Sequence, residues 1–173
     1  SQGRVERVKS IFNRFAGNKP KKLYQFNQKI STYTTFTKEE CIDLLNFLYQ
    51  EKGIYPDVIT FTTFISKINS FSDAKDIFDL IKGQKYTILS ITKPDKITFN
   101  TLLKKAGSVE QGLMLIEEVS SNEKLKLYPD IITFTTLLGK VKNSKDIHSV
   151  EKMRKYYGVK TDDIYLSKLK SKR

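Results

Sequence analysis

The chain has 173 residues, enough for one domain with a real core or for a short repeat array, and 39% hydrophobic content with 12% aromatics excludes wholesale disorder. Lys and Arg number 31 against 19 Asp and Glu, and the resulting charge of +12 suits a polyanionic partner such as nucleic acid. The single Cys41 excludes an internal disulfide and a cysteine-based metal site, and no run of about 18 apolar residues is present to span a bilayer.

The elements follow a rhythm set by proline. Pro20, Pro56, Pro94 and Pro129 stand 36, 38 and 35 residues apart, and Thr161 in KTD (160–162) takes the next place. A period in the mid-thirties is the signature of a helical repeat array. Cutting after each Asp gives units 23–57, 58–95, 96–130 and 131–162. An incomplete unit, 1–22, precedes them with a helix expected across roughly 4–16, and 163–173 begins a further helix or C-terminal cap. The first unit opens with Phe26, Lys29, Ile30 and Tyr33, in which Lys29 breaks an otherwise apolar face, and continues with Cys41, Leu44, Leu45 and Leu48. The second gives Phe61, Phe64, Ile65 and Ile68, spaced i, i+3, i+4, i+7, then Ala74, Ile77, Phe78 and Ile81. The third gives Phe99, Leu102, Leu103 and Ala106, then Val109, Leu113 and Ile116. The fourth gives Phe134, Leu137, Leu138 and Val141, then Ile147, Val150, Met153 and Tyr157. Helical spacing outweighs the strand propensity of starts such as ITFTTF. The expected fold is all-α, with paired antiparallel helices stacked into a right-handed α-solenoid.

Away from each apolar face lies a second stripe: Tyr24, Asn27 and Ser31; Ile59, Thr62 and Ser66; Ile97, Asn100 and Lys104; Ile132, Thr135 and Gly139. An apolar group there can flank a base, while Asn or Thr can read a base edge. Equally, the Ile or Tyr could pack on a neighbouring helix and Asp57, Asp95, Asp130 and Asp162 could be N-caps, for which Asp suits. A carboxylate has lone pairs for both roles.

Ten-residue strings carry a family likeness: YPDVITFTTF (55–64), KPDKITFNTL (93–102) and YPDIITFTTL (128–137), with unit endings EKGIYPD (51–57) and YGVKTD (157–162). A tetratricopeptide array would place small residues at fixed packing points, and most of those are bulky here. Over almost its whole length the chain instead resembles the pentatricopeptide repeat family. That resemblance implies about four helix-turn-helix repeats binding single-stranded RNA, one base per repeat, in organellar RNA stabilisation, processing or translation. It places the protein in the mitochondrion or a plastid-type organelle. It puts the specificity pair on the Asn or Thr and the unit-ending Asp: Asn27 with Asp57, Thr62 with Asp95, Asn100 with Asp130, Thr135 with Asp162. In the family, Asn with Asp goes with uracil and Thr with Asp with guanine, implying 5′-UGUG-3′. Tyr24, Ile59, Ile97 and Ile132 would flank the bases.

No enzyme is expected. His148 is the only histidine and reads as a solvated helix residue; Cys41 reads as core; no GxGxxG, P-loop or HExxH occurs. Glu39-Glu40 and Glu117-Glu118 are consecutive and point apart on a helix. No cofactor, metal or membrane partner is expected, and the chain should be a monomer. Two rival uses of such an array are an adaptor in a ribosome-associated or other organellar RNA–protein complex, and the RNA-docking part of a larger enzyme. No signal peptide is seen, and a start at Ser1 fits a processed or cloned piece of something longer, a route by which any targeting segment could have been lost.

Overall fold

Each Pro-Asp turn in the sequence is followed by a helix. In the structure, a computed structural model, residues 3, 6, 10, 22–51, 53–82 and 93–173 are described. The helix expected across 4–16 therefore lies almost wholly outside the described residues. Among the described residues there are nine α-helices and no strand. We number them α1 (Leu23–Ser31), α2 (Lys38–Asn46, continued by a π-helical turn, Phe47–Glu51), α3 (Val58–Lys67), α4 (Phe71–Lys82), α5 (Lys96–Leu103), α6 (Val109–Ser120), α7 (Ile131–Leu138), α8 (Ser144–Tyr156) and α9 (Asp163–Lys172). None is long and apolar enough to cross a membrane.

The chain divides into two compact units, 1–94 and 95–173. In the first, α1 packs on α3 and α2 on α4, with α3 also against α4. In the second, α5 packs on α7 and α7 on α9, while α6 packs on α8 and α7 contacts both. First helices thus lie beside first helices and second beside second, two layers within each unit.

The helix starts are built by capping. Proline fixes φ two residues ahead of the first helical position and forces extended backbone before it. The following Asp is the N-cap. Asp57, Asp95 and Asp130 each accept the third residue's backbone N–H, from Thr60, Thr98 and Thr133 at 3.0, 2.8 and 3.0 Å. Each threonine hydroxyl accepts the Asp N–H in return, completing a capping box. Such a cap contributes about 0.5–2 kcal/mol and overrides the β-propensity of the ITF starts. Asp162 caps α9 through Tyr165 N–H at 2.7 Å. Helix α1 lacks this device, because Lys22 stands at the cap and makes no side-chain bond. Second helices begin on other caps: Thr37 with Glu40, Ser108 with the Gln111 N–H, Asn143 with the Asp146 N–H.

The buried residues follow the expected faces. Phe26 and Ile30, Phe61, Phe64, Ile65 and Ile68, Phe99, Leu102, Leu103 and Ala106, and Phe134, Leu137 and Leu138 are all buried. So are Cys41, Leu44, Leu45 and Leu48, and Ala74, Ile77, Phe78 and Ile81. Corrections fall at the margins. Tyr33 and Val141 lie past the ends of their helices and are only half-buried. In α6 the buried arc is Val109, Gly112, Leu115, Ile116 and Val119, which leaves Leu113 roughly 95° from its centre and half-buried. In α8 only Val150 is buried, with Ile147, Met153 and Tyr157 half-buried. Gly112 permits this close packing, since a Cβ there would collide with the Leu137 side chain and press on Leu103, and one of them would have to shift.

Candidate nucleic-acid interface

Counting from the first residue of each first helix brings the predicted site residues into one pattern. The second residue is Tyr24, Ile59, Ile97, Ile132 and, in α9, Ile164. All five are large, apolar and 58–72% exposed, which no core role explains. Tyr24 and Ile59 belong to the first unit, Ile97, Ile132 and Ile164 to the second. Ile164 was not among the expected residues, although the same offset after Asp162 points to it.

The fifth residue is Asn27, Thr62, Asn100 and Thr135. Asn27 Nδ2 donates to Asp57 Oδ1 at 3.1 Å, and Thr60 Oγ1 donates to Asn27 Oδ1 at 2.7 Å. In the second unit Thr133 Oγ1 donates to Asn100 Oδ1 at 3.1 Å and lies 3.0 Å from Asp130 Oδ1. The structure therefore brings Asn27 to Asp57 directly, and Asn100 to Asp130 through a threonine. Asn100 is also nearly buried, at 9% exposure, which leaves only its edge to solvent. Thr62 and Thr135 differ, for each hydroxyl donates to the carbonyl four residues back, Val58 or Ile131, at 2.7 Å. Thr135 and Asp162 make no direct hydrogen bond, and Thr62 and Asp95 belong to separate units.

These bonds decide what each side chain can offer. A threonine whose single proton is committed to the backbone can only accept from a ligand. The caps use Oδ1 of each Asp, which in Asp57 also accepts from Asn27, and leave Oδ2 outside the cap. In Asp130 that oxygen lies 3.6 Å from exposed Lys96 Nζ. Burial alone would raise the Asp130 carboxyl; hydrogen bonds from Thr133 and the Lys96 charge outweigh it and hold the group below its usual range, ionised.

Cations edge the stripe at the far end of the first helices. Lys67 Nζ donates to Ser31 O at 3.1 Å and Lys140 Nζ to Lys104 O at 2.9 Å, each closing the C-terminus of the previous first helix. Lys168 Nζ lies beside Gly139, and burial together with the Lys168 charge lowers the Lys140 pKa. Lys104 is exposed at the same edge. Among the described residues no cluster of three His, Cys, Asp or Glu side chains is placed to hold a metal ion. Cys41 is buried and His148 exposed on α8. Compared with models of known protein families and with characterised proteins, the chain gives no match.

Proposed function

We propose that this chain is a pentatricopeptide-type solenoid that binds single-stranded RNA, one base per repeat, with a preference near 5′-UGUG-3′. It acts by binding, in the RNA metabolism of the mitochondrion or a plastid-type organelle. The observation that carries the reading is the recurrence, at one helical offset, of an exposed apolar side chain followed three residues later by an Asn or Thr, which in two repeats is tied to the next capping Asp. The second-position Tyr or Ile would flank the bases, and the +12 charge and the lysines at the helix ends would meet phosphates.

The hydrogen bonds favour the base assignments. Thr135 offers only a lone pair and Asp162 a carboxylate, two acceptors that suit the N1–H and N2–H donors of guanine. Asn27 and Asn100 each keep an amide proton and a carbonyl lone pair for a base with one donor and one acceptor, as uracil has. The test is binding of the chain to UGUG against single-base variants in an otherwise fixed single-stranded oligonucleotide, beside a duplex of the same sequence. Preference for the UGUG single strand is expected. Equal affinity for the duplex contradicts the reading, because paired bases hide the edges that Asn and Thr must reach.

A further inference from the structure

In two of the first helices, α3 and α7, the third residue has a role beyond capping. Thr60 and Thr133 each do two things at once: they close the capping box with Asp57 or Asp130 and hold the carbonyl oxygen of an asparagine 33 residues earlier. Thr60, Thr98 and Thr133 are fully buried, so these hydroxyls face no solvent and satisfy only protein groups.

Resting on the RNA-reading proposal above, we infer that Thr60 and Thr133 are positioning residues that fix which way the Asn27 and Asn100 carboxamides face, and so make those repeats choose uracil over cytosine. A carboxamide rotated by 180° exchanges its donor and its acceptor. Uracil presents N3–H as donor and O4 as acceptor; cytosine presents N3 as acceptor and the N4 amine as donor. The two pyrimidines are therefore matched by opposite orientations of one Asn side chain. With nothing to hold it, an Asn accommodates either. In the first unit the orientation is held at both ends, by Thr60 Oγ1 on Asn27 Oδ1 at 2.7 Å and by Asp57 Oδ1 accepting from Nδ2 at 3.1 Å. In the second it is held by Thr133 alone, with Asn100 Oδ1 at 3.1 Å. Rotating either Asn would aim its amine at the threonine hydroxyl, which already accepts the Asp N–H, at 3.2 Å for Asp57 and 3.0 Å for Asp130. The threonine proton would then have to turn to Asp57 or Asp130 Oδ1, 3.0 Å away, an oxygen already taken by the capping N–H, and in the first repeat a carbonyl would face the Asp57 carboxylate. Asn100, with one restraint, should depend on its threonine more than Asn27 does.

The experiment compares wild type, Thr133→Val, Thr133→Ser and Thr60→Val, each checked by thermal melting, on UGUG, UGCG and CGUG oligonucleotides. Wild type should favour U over C at the third base by roughly ten-fold, within the range of a good base contact. Thr133→Val should bring that ratio towards one while the first-base ratio holds, Thr133→Ser should restore it, and Thr60→Val should lower the first-base ratio by less. A purely structural role lowers affinity for all three RNAs together and leaves the ratios alone, and that outcome overturns the inference. A third-base ratio in folded Thr133→Val equal to that of wild type overturns it too. Failure of wild type to separate UGUG from UGCG removes the base-reading proposal itself, a result distinguishable from the other two.

Discussion

At the scale of single residues, the RNA-binding proposal gives the capping aspartates two separable duties. Oδ1 holds the helix start, and a neutral amide oxygen can do the same, so Asp162→Asn should melt within a few tenths of a kcal/mol of wild type whereas Asp162→Ala should lose about 0.5–2 kcal/mol. RNA preference should respond the other way. An amide in place of a carboxylate supplies a donor, so Asp162→Asn should weaken selection of guanine at the fourth base as much as Asp162→Ala does. Isothermal binding to UGUG and UGUA measures it. Titration gives a second residue-level test. Burial, followed by the Glu151 carboxylate 3.1 Å away, pushes the Tyr165 hydroxyl up to about 12. The unfolded tyrosine ionises near 10. Because the folded pKa is the higher one, its contribution to stability is intact below pH 10 and is lost as pH climbs from about 10 towards 12. Absorbance at alkaline pH should show a tyrosine step near pH 12, and Tyr165→Phe should remove that step. Asp130 works in the opposite sense: its depressed carboxyl stabilises the fold at neutral pH and ceases to as pH falls below the ordinary carboxylate range.

At the scale of elements, packing explains which parts were legible in the sequence. The apolar spacing of Phe61, Phe64, Ile65 and Ile68 predicts both the helix and its buried face, because i, i+3, i+4, i+7 has one solution at 3.6 residues per turn. The recurring PD before ITF predicts the caps, because Asp after Pro has few other uses. Legibility faded where spacing ceased to decide. Leu113 reads as core by its distance from Val109, yet Gly112 lets α6 approach Leu137 and Leu103, and this close approach turns the helix so that Leu113 sits at the rim. In α8 a weakly apolar face gave no unique direction, and only Val150 is fully buried. The hydroxyl-to-carboxamide bonds were illegible altogether, since Thr60 and Asn27 are 33 residues apart and nothing in either helix alone marks them as partners. The last helix departs from its predecessors. Tyr165 occupies the third position that threonine holds in α3, α5 and α7, is buried against Arg154 and Glu151, and leaves Leu166 exposed where the repeats bury Phe. Gly112→Ala should destabilise the second unit by about 1–3 kcal/mol through overpacking, read by thermal melting, and leave RNA base preference unchanged. A variant as stable as wild type would mean that α6 and α7 can part without cost.

For the molecule as a whole, charge and repetition act at different distances. The net +12 attracts any polyanion, and phosphate contacts displace counterions whatever the bases. Affinity for single-stranded RNA should therefore fall with salt by roughly 0.7 log units per log unit for each phosphate contact, and four repeats allow only a few such contacts. The ratio between two RNA sequences should not move with salt, because it rests on hydrogen bonds that both complexes shield alike. The measurement closest to the central claim exchanges one reading residue and follows one base. In Asn100→Thr the side chain should donate its hydroxyl proton to the carbonyl four residues back, as Thr135 and Thr62 do, and offer only an acceptor. Competition binding of wild type and Asn100→Thr to UGUG and UGGG should then show the preferred third base moving from U to G, with a discrimination of about 1–3 kcal/mol in each direction. Equal binding of the two RNAs before and after the substitution would contradict the account and leave a basic helical scaffold that holds RNA without reading it.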